Sequence, residues 1–349
     1  MIARRREALP VVAAVGVVAC GIGVLIDPKA MVASYLAAWV AVSAVPIGAL
    51  GVLLVTYLVR GDWTDDMHAP LSGAALALPV AGVLFLPVAA GMGLIYPWAS
   101  GTAVLSTFKA AYLTPWFFLL RTVLYFAIWS VIARRAVRAY GDDAGMTRAA
   151  SAGLVVWTLT VSLAGIDWIE SVEADFHSSI YGLLTVAFAL VAGFAFALVV
   201  MLARDIHQRM ETGSYGAILL ALLMLWAYLH AMQYIIVWAG NIPDEVSWYL
   251  VRLDDGWRVV LWVLFAGQFI VPFLALLSAR LRGSRSALLV IAAGTLGFRV
   301  VEAIVLLLPP LGLSAPALAF DLPAAVVAIG ACWLAAVPWR RSGRAATAG

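Results

Sequence analysis

SSIYGLLTVAFALVAGFAFALVVMLA, residues 178–203, runs for 26 positions without a charged side chain. As a helix rising 1.5 Å per residue, such a run crosses the ~30 Å hydrocarbon core of a bilayer. Outward from it, similar runs recur along the whole chain. They predict ten spans at about 8–26, 31–59, 72–96, 114–137, 149–170, 178–203, 215–239, 257–279, 285–308 and 320–338. Composition agrees: 64 % of residues are hydrophobic, 12 % are charged, and mean hydropathy is +1.01. So few charges could not cover a soluble surface. Strands of about ten alternating residues, the mark of a membrane barrel, are absent, so the fold class is all-α integral membrane protein.

The basic residues set the expected orientation. With the N-terminus inside, 16 of the 22 fall on inner segments (the Arg4-Arg5-Arg6 start, Arg60, Arg134, Arg135, Arg138, Arg148, Arg204, Arg209, Arg280, Arg282, Arg285 and the Arg340, Arg341, Arg344 end). Only Lys29, Lys109, Arg252 and Arg258 fall outside, and Arg121 and Arg299 lie within spans. The positive-inside rule therefore predicts both termini in the cytoplasm. The first span ends in Leu25-Ile26-Asp27-Pro28 without a small-residue cleavage pattern and reads as a retained helix. No loop exceeds about 20 residues, which leaves a single transmembrane domain over 1–349. The net charge of +3 follows from topology and gives no reason to expect nucleic acid as a partner.

Cofactor ligands are scarce. Cys20 and Cys332 stand alone in separate spans, too few for an iron–sulfur cluster, and there is no C-x-x-C-H haem attachment run. Of the four histidines only His230 lies well within a span, roughly 13 Å below its outer end. His177 sits at the outer mouth of the sixth span, which argues against a bis-histidine haem. No cofactor is expected to be held covalently and no metal site is predicted.

Ionisable groups at membrane depth are costly and mark function or paired charge. Arg121 enters the fourth span, where it either snorkels outward or neutralises a carboxylate on a neighbouring helix. Asp167 and Glu170, three apart at the end of the fifth span, are expected to share a face. With His177 they form an outer cluster suited to passing protons, while Glu173 and Asp175 read as solvated loop charges. Trp226, His230 and Gln233, with Tyr234 beside them, make a polar and aromatic stripe on the seventh span. Such a stripe suits either a quinone head group or interhelical hydrogen bonding. Arg299 and Glu302 are placed to pair along their own helix, as a structural pair or a further part of a proton path. Asp321 before Pro323 reads as a helix N-cap.

Several stretches together resemble one family: Lys109-Ala110-Ala111-Tyr112-Leu113; Phe117-Phe118-Leu119-Leu120-Arg121 leading to Tyr125-Phe126 and Trp129; Asp167-Trp168 leading to His177-Ser178-Ser179-Ile180-Tyr181-Gly182; and Trp226-Ala227-Tyr228 leading to Gln233-Tyr234, Trp238-Ala239-Gly240-Asn241-Ile242-Pro243-Asp244-Glu245 and Trp248-Tyr249-Leu250. They are similar to the F-type membrane subunit of alternative complex III, a bacterial quinol:cytochrome c oxidoreductase, within the NrfD-like polysulfide-reductase anchors. The resemblance covers roughly residues 33–280 and is most specific from Trp226 to Leu250. It implies ten helices with two four-helix bundles in the bacterial inner membrane, and no redox cofactor in the chain itself. It also implies a quinone or quinol as ligand. The partners it implies are a sister NrfD-like membrane subunit, a periplasmic iron–sulfur protein and haem c subunits, with iron–sulfur clusters and haem on those chains. The sequence departs from the family pattern at Glu173-Ala174-Asp175-Phe176-His177, where family members often have a Pro before the aromatic, and at Glu170, where they often carry Met. That extra carboxylate favours a proton role. Outside the resemblance, two other readings stand beside it: a purely structural anchor for a periplasmic redox module, and a stand-alone secondary transporter. Neither an internal repeat nor paired broken helices support the transporter.

Overall fold

The computed structural model describes residues 2–59, 61–103, 106–203, 212–313 and 315–338, with the side chains of residues 2–7, 62, 255 and 315–317 left aside. Arg60, Arg204, His207, Arg209, Arg340, Arg341 and Arg344 lie outside the described residues. Among the described residues the chain is helical with no strand. The helices are α1 (Ile2–Ile26), α2 (Pro28–Leu58), α3 (Asp62–Leu76), α4 (Leu78–Val83), α5 (Leu86–Ile95), α6 (Pro97–Ser100), α7 (Thr107–Tyr112), α8 (Pro115–Ala139), α9 (Asp143–Trp168), α10 (Tyr181–Ala203), α11 (Thr212–Gly240), α12 (Pro243–Leu253), α13 (Asp255–Phe265), α14 (Val271–Leu277), α15 (Ala279–Arg282), α16 (Arg285–Leu307) and α17 (Ala315–Ala336). Nine described helices or helix runs are long and apolar enough to cross a membrane, and a tenth if the bent run through α3, α4 and α5 is one span.

Helix α2 is the axis of the molecule. It packs against α3, α9, α10, α16 and α17, and almost every turn is buried. It starts on Asp27, whose side chain accepts from the Ala30 amide at 3.0 Å, with Pro28 in the first turn where a missing N–H costs nothing. Its crossing with α10 is a backbone-to-backbone contact. A Cβ on Gly48 would lie 1.6 Å from the Ala189 carbonyl, and one on Gly193 would lie 2.2 Å from the Ala49 nitrogen. Small residues at such crossings let apolar helices gain dispersion contacts where lipid supplies no hydrophobic drive.

Two spans are interrupted, each for an identifiable reason. The third predicted span bends by 52° where α4 gives way to α5. Pro87 cannot donate to a helical ladder, and the Phe85 amide turns to the Gly82 carbonyl at 3.1 Å. The Ala81 carbonyl is taken by the Trp39 indole at 2.8 Å, so α2 repairs the break. In the eighth span a π-helical segment, Ala266–Ile270, separates α13 from α14 just ahead of Pro272. Gly267 lets this segment press on α16, since a Cβ there would lie 1.9 Å from the Phe298 ring.

Asp321 does not cap a helix. Helix α17 begins six residues earlier, and the Asp321 carboxylate is buried where a Cβ on Gly23 of α1 would lie 2.4 Å from its oxygen. The Asp321-Leu322-Pro323 pattern mimics a helix start, but the apolar residues before it continue the helix upstream.

Two ends of the bundle can be told apart. At one, α12 lies across the ends of α11 and α16; the other carries Arg134, Arg135, Arg138, Arg280, Arg282 and Arg285.

Candidate functional site

At the α12 end, α8 and α9 are clasped by a buried ion pair. Arg121 Nε and Nη2 donate to the two Asp167 oxygens at 2.9 and 2.8 Å, and the Tyr125 hydroxyl donates to Asp167 at 2.8 Å. Arg121 Nη1 donates to the Tyr112 carbonyl at 2.8 Å, and the guanidinium lies 3.7 Å from the Tyr112 ring centre. Asp167 is 0 % exposed. Of the two roles open to Arg121, pairing with a carboxylate is the one observed. Both carboxylate oxygens are engaged, which makes this pair a closed clasp.

Asp167 and Glu170 have separate partners: helix α9 ends at Trp168, Asp167 is held by Arg121 and Tyr125, and Glu170 opens a 3-10 turn, Glu170–Val172. One of its oxygens accepts from the Ser178 amide at 3.1 Å; the other has no hydrogen-bond partner among the described residues. Ser178 in turn donates its hydroxyl to the Gln233 carbonyl oxygen, joining the turn to α11. Lys109 lies near Glu170 and Asp175 and donates to the Ala174 carbonyl. Burial lowers its ammonium pKa against the pull of those two carboxylates. His177 is exposed, and its Nδ1 lies 2.8 Å from the carbonyl of Asp175, so it stands apart from this group.

Deeper, α11 and α16 bring the stripe of the seventh span together with the pair of the ninth. Glu302 is the hub. Trp226 Nε1 donates to its Oε1 at 2.8 Å, His230 Nε2 lies 3.4 Å from the same oxygen, and Arg299 Nη1 lies 2.7 Å from Oε2. The His230 Nδ1 sits 3.0 Å from the Trp226 carbonyl, which only accepts, so Nδ1 carries the hydrogen. Nε2 then faces a carboxylate oxygen, and that contact is favourable only when a proton sits on one of the two. The guanidinium is close to Glu302 but off-axis. Among the described residues no Arg299 nitrogen has an aligned hydrogen bond, so the contact with Glu302 is an ion pair alone, and the cation rests near the Phe188 and Trp226 rings at 5.0 and 5.5 Å.

One turn before Arg299, Thr295 is buried with its hydroxyl unpartnered. Gln268, in the π-helical segment packed on α16, is 0 % exposed, and neither amide atom has a hydrogen-bond partner among the described residues. Thr295 stands ten residues from one end of α16, and Gln268 eleven from the start of the eighth span at Trp257. Both are therefore about 15 Å deep from opposite ends, close to mid-membrane. Each buried polar group without a partner costs ~1–3 kcal/mol, and this chain retains two residues of this kind, Thr295 on α16 and Gln268 on the segment packed against it. Sequence reading passed over Gln268 and Thr295. The visible signal was polar residues at Thr295, Arg299 and Glu302, spaced to line one helical stripe.

Between α10, α11 and α16 lies a cavity of about 10 Å³ lined by Tyr181, Thr185, Phe188, His230 and Glu302. That is the room of about one water. A quinone ring does not fit it, since ligand pockets run to ~300–1,000 Å³. The donors expected to meet quinone oxygens are also engaged: Trp226 with Glu302, and His230 with Glu302 and a backbone carbonyl. Tyr234 is 51 % exposed and turns outward onto Tyr249, ring centres 5.4 Å apart.

A second buried clasp was not legible. Arg252 and Glu173, read as outer-loop charges, pair at 2.6 Å with Arg252 only 1 % exposed. Arg252 Nε and Nη2 also donate to the Val305 and Leu306 carbonyls at 2.8 Å each, tying α12 to the end of α16. Burial lowers the guanidinium pKa; the Glu173 carboxylate opposes that shift.

No protein-family model matches the chain, and no curated protein matches it significantly.

Proposed function

We propose that this chain is a membrane subunit of a quinol-oxidising respiratory complex of the alternative complex III type, and that its own contribution is a proton path. In this reading it sits in a bacterial inner membrane with both termini cytoplasmic and its helices grouped as two four-helix bundles. A sister NrfD-like subunit, a periplasmic iron–sulfur protein and haem c subunits carry the electrons. The observation that carries the proton role is the set of buried polar residues Gln268, Thr295, Arg299 and Glu302, with the half-buried His230 against Glu302. These residues extend from mid-membrane toward the α12 end. Nearer that end Gln233, Ser178, Glu170 and Lys109 form a second polar group, taken in this reading as the continuation of the path.

Each station has a chemical task. Glu302 and His230 hold one proton between them and can pass it by moving the hydrogen from Nε2 to Oε1 and back. Arg299 stands beside Glu302 as its counter-cation and repels a second cation. Ser178 and Gln233 are neutral and relay only through hydrogen bonds. Glu170, with one oxygen that has no hydrogen-bond partner among the described residues, is the outermost acceptor. Protons released by quinol oxidation belong on that outer side by the positive-inside orientation.

A purely structural anchor is the rival. The closed Arg121–Asp167 and Arg252–Glu173 clasps favour it for that part of the molecule. The test begins with the tagged native protein purified in mild detergent. Co-purifying haem c bands and an iron–sulfur partner are expected; a lone, colourless chain overturns membership of the complex. In the intact complex Glu302→Gln is then expected to slow quinol:cytochrome c turnover at least about tenfold with assembly unchanged. Normal turnover overturns the proton path and leaves the anchor.

A further inference from the structure

We infer that the groove between α8 and α9, at the arginine-rich end, is a binding site for one anionic phospholipid. This site shares no residue with the proton path and stands whether or not the chain works in a respiratory complex. The groove holds about 460 Å³ and is walled by Ile128, Val131 and Arg135 on α8 and by Arg148, Ala152 and Gly153 on α9. It opens outward because α9 presents small residues there. A Cβ on Gly153 would already lie 3.0 Å from the Ile132 side chain, so larger residues would fill the channel from its floor.

Its chemistry is divided along its length. The inner stretch is apolar, and only the mouth is charged. Arg135 and Arg148 come one from each helix and are both exposed. Neither pairs with a carboxylate among the described residues, and Arg148 donates only its Nε, to the Ala144 carbonyl of its own helix at 3.2 Å. Two guanidiniums free to fork onto one phosphate, above an apolar trough at membrane depth, match a lipid with an anionic head and an acyl tail. A soluble phosphate ligand would gain nothing from the trough, and an apolar protein helix would leave both cations bare. Arg134 and Arg138 on the same turns of α8 lie outside the groove lining. They provide the control for unspecific attraction.

The test is native mass spectrometry of the full chain, with any partners that purify with it, released from bilayers of equal phosphatidylglycerol and phosphatidylcholine. One phosphatidylglycerol is expected to remain bound, preferred by about thirtyfold, the combined worth of two arginines at a membrane surface. Arg135→Gln with Arg148→Gln is expected to abolish the preference. Ala152→Phe, which fills the trough while keeping both charges, should expel the lipid. Arg134→Gln with Arg138→Gln should leave binding intact. Equal retention of both lipids overturns the proposal, as does equal loss in the Arg134 and Arg138 control, or a protein partner found seated in the groove. Melting temperature in detergent checks that each variant is folded. Should the double variant fail to fold, the Ala152→Phe result decides alone.

Discussion

Asp167 engages both oxygens with Arg121 and Tyr125, whereas Glu302 keeps its surroundings under-bonded. The two buried carboxylates should therefore respond differently to the same substitution. Asp167→Asn leaves the Arg121 guanidinium buried without its counter-ion, a loss of about 3–5 kcal/mol. A large fall in melting temperature in detergent is expected, with most of it restored by Arg121→Met in combination with Asp167→Leu. Single variants that melt like the wild type would show that the clasp holds nothing. Gln268→Leu and Thr295→Val should behave in the opposite way. Each removes a polar group that no protein atom satisfies, so stability should hold or rise by up to ~1–3 kcal/mol. Proton movement, measured as pH change against quinol turnover, should fall. Stability lost without any change in proton movement would make these residues packing groups.

At the level of elements, the α2–α10 crossing and the tilt of the broken spans carry most of the shape. Gly48 and Gly193 stand where no side chain fits, because the obstructing atoms are backbone. Gly193→Ala is expected to push the two helices apart and lower the yield of folded protein severalfold. Gly294→Ala on α16 serves as the comparison: a Cβ there meets nothing within 4 Å, and the change should be neutral or mildly stabilising, by up to ~1 kcal/mol. Fluorescence-detected chromatography of the two variants separates packing from helix propensity. Equal behaviour would mean the crossing tolerates a wider spacing than the structure has.

For the whole molecule, hydropathy made most spans legible to within a few residues, since crossing a membrane is a property of a local run. The helices of the third and fifth spans start earlier than expected, at Asp62 rather than 72 and at Asp143 rather than 149, because polar first turns hide a helix start. Ion partners were legible only when close in sequence. Arg299 and Glu302 are three apart and were paired from the spacing, whereas Arg252 and Glu173, 79 apart, were read as loop charges. The separate partners of Asp167 and Glu170 are not legible because no local feature announces that α9 stops at Trp168. Gln268 was passed over because one amide in an apolar run looks incidental until the partner helix is known. The central place of α2 bears on how the chain is made. It leaves the ribosome second, yet its covering helices α10, α16 and α17 are translated long afterwards. Until then its most buried faces meet lipid. The Trp39 indole finds the Ala81 carbonyl early, but Gly48 waits for Gly193. Nascent chains arrested before α10 should therefore present an unfinished surface to the insertion machinery and its proteases. Survival during synthesis then depends on how quickly the later helices arrive.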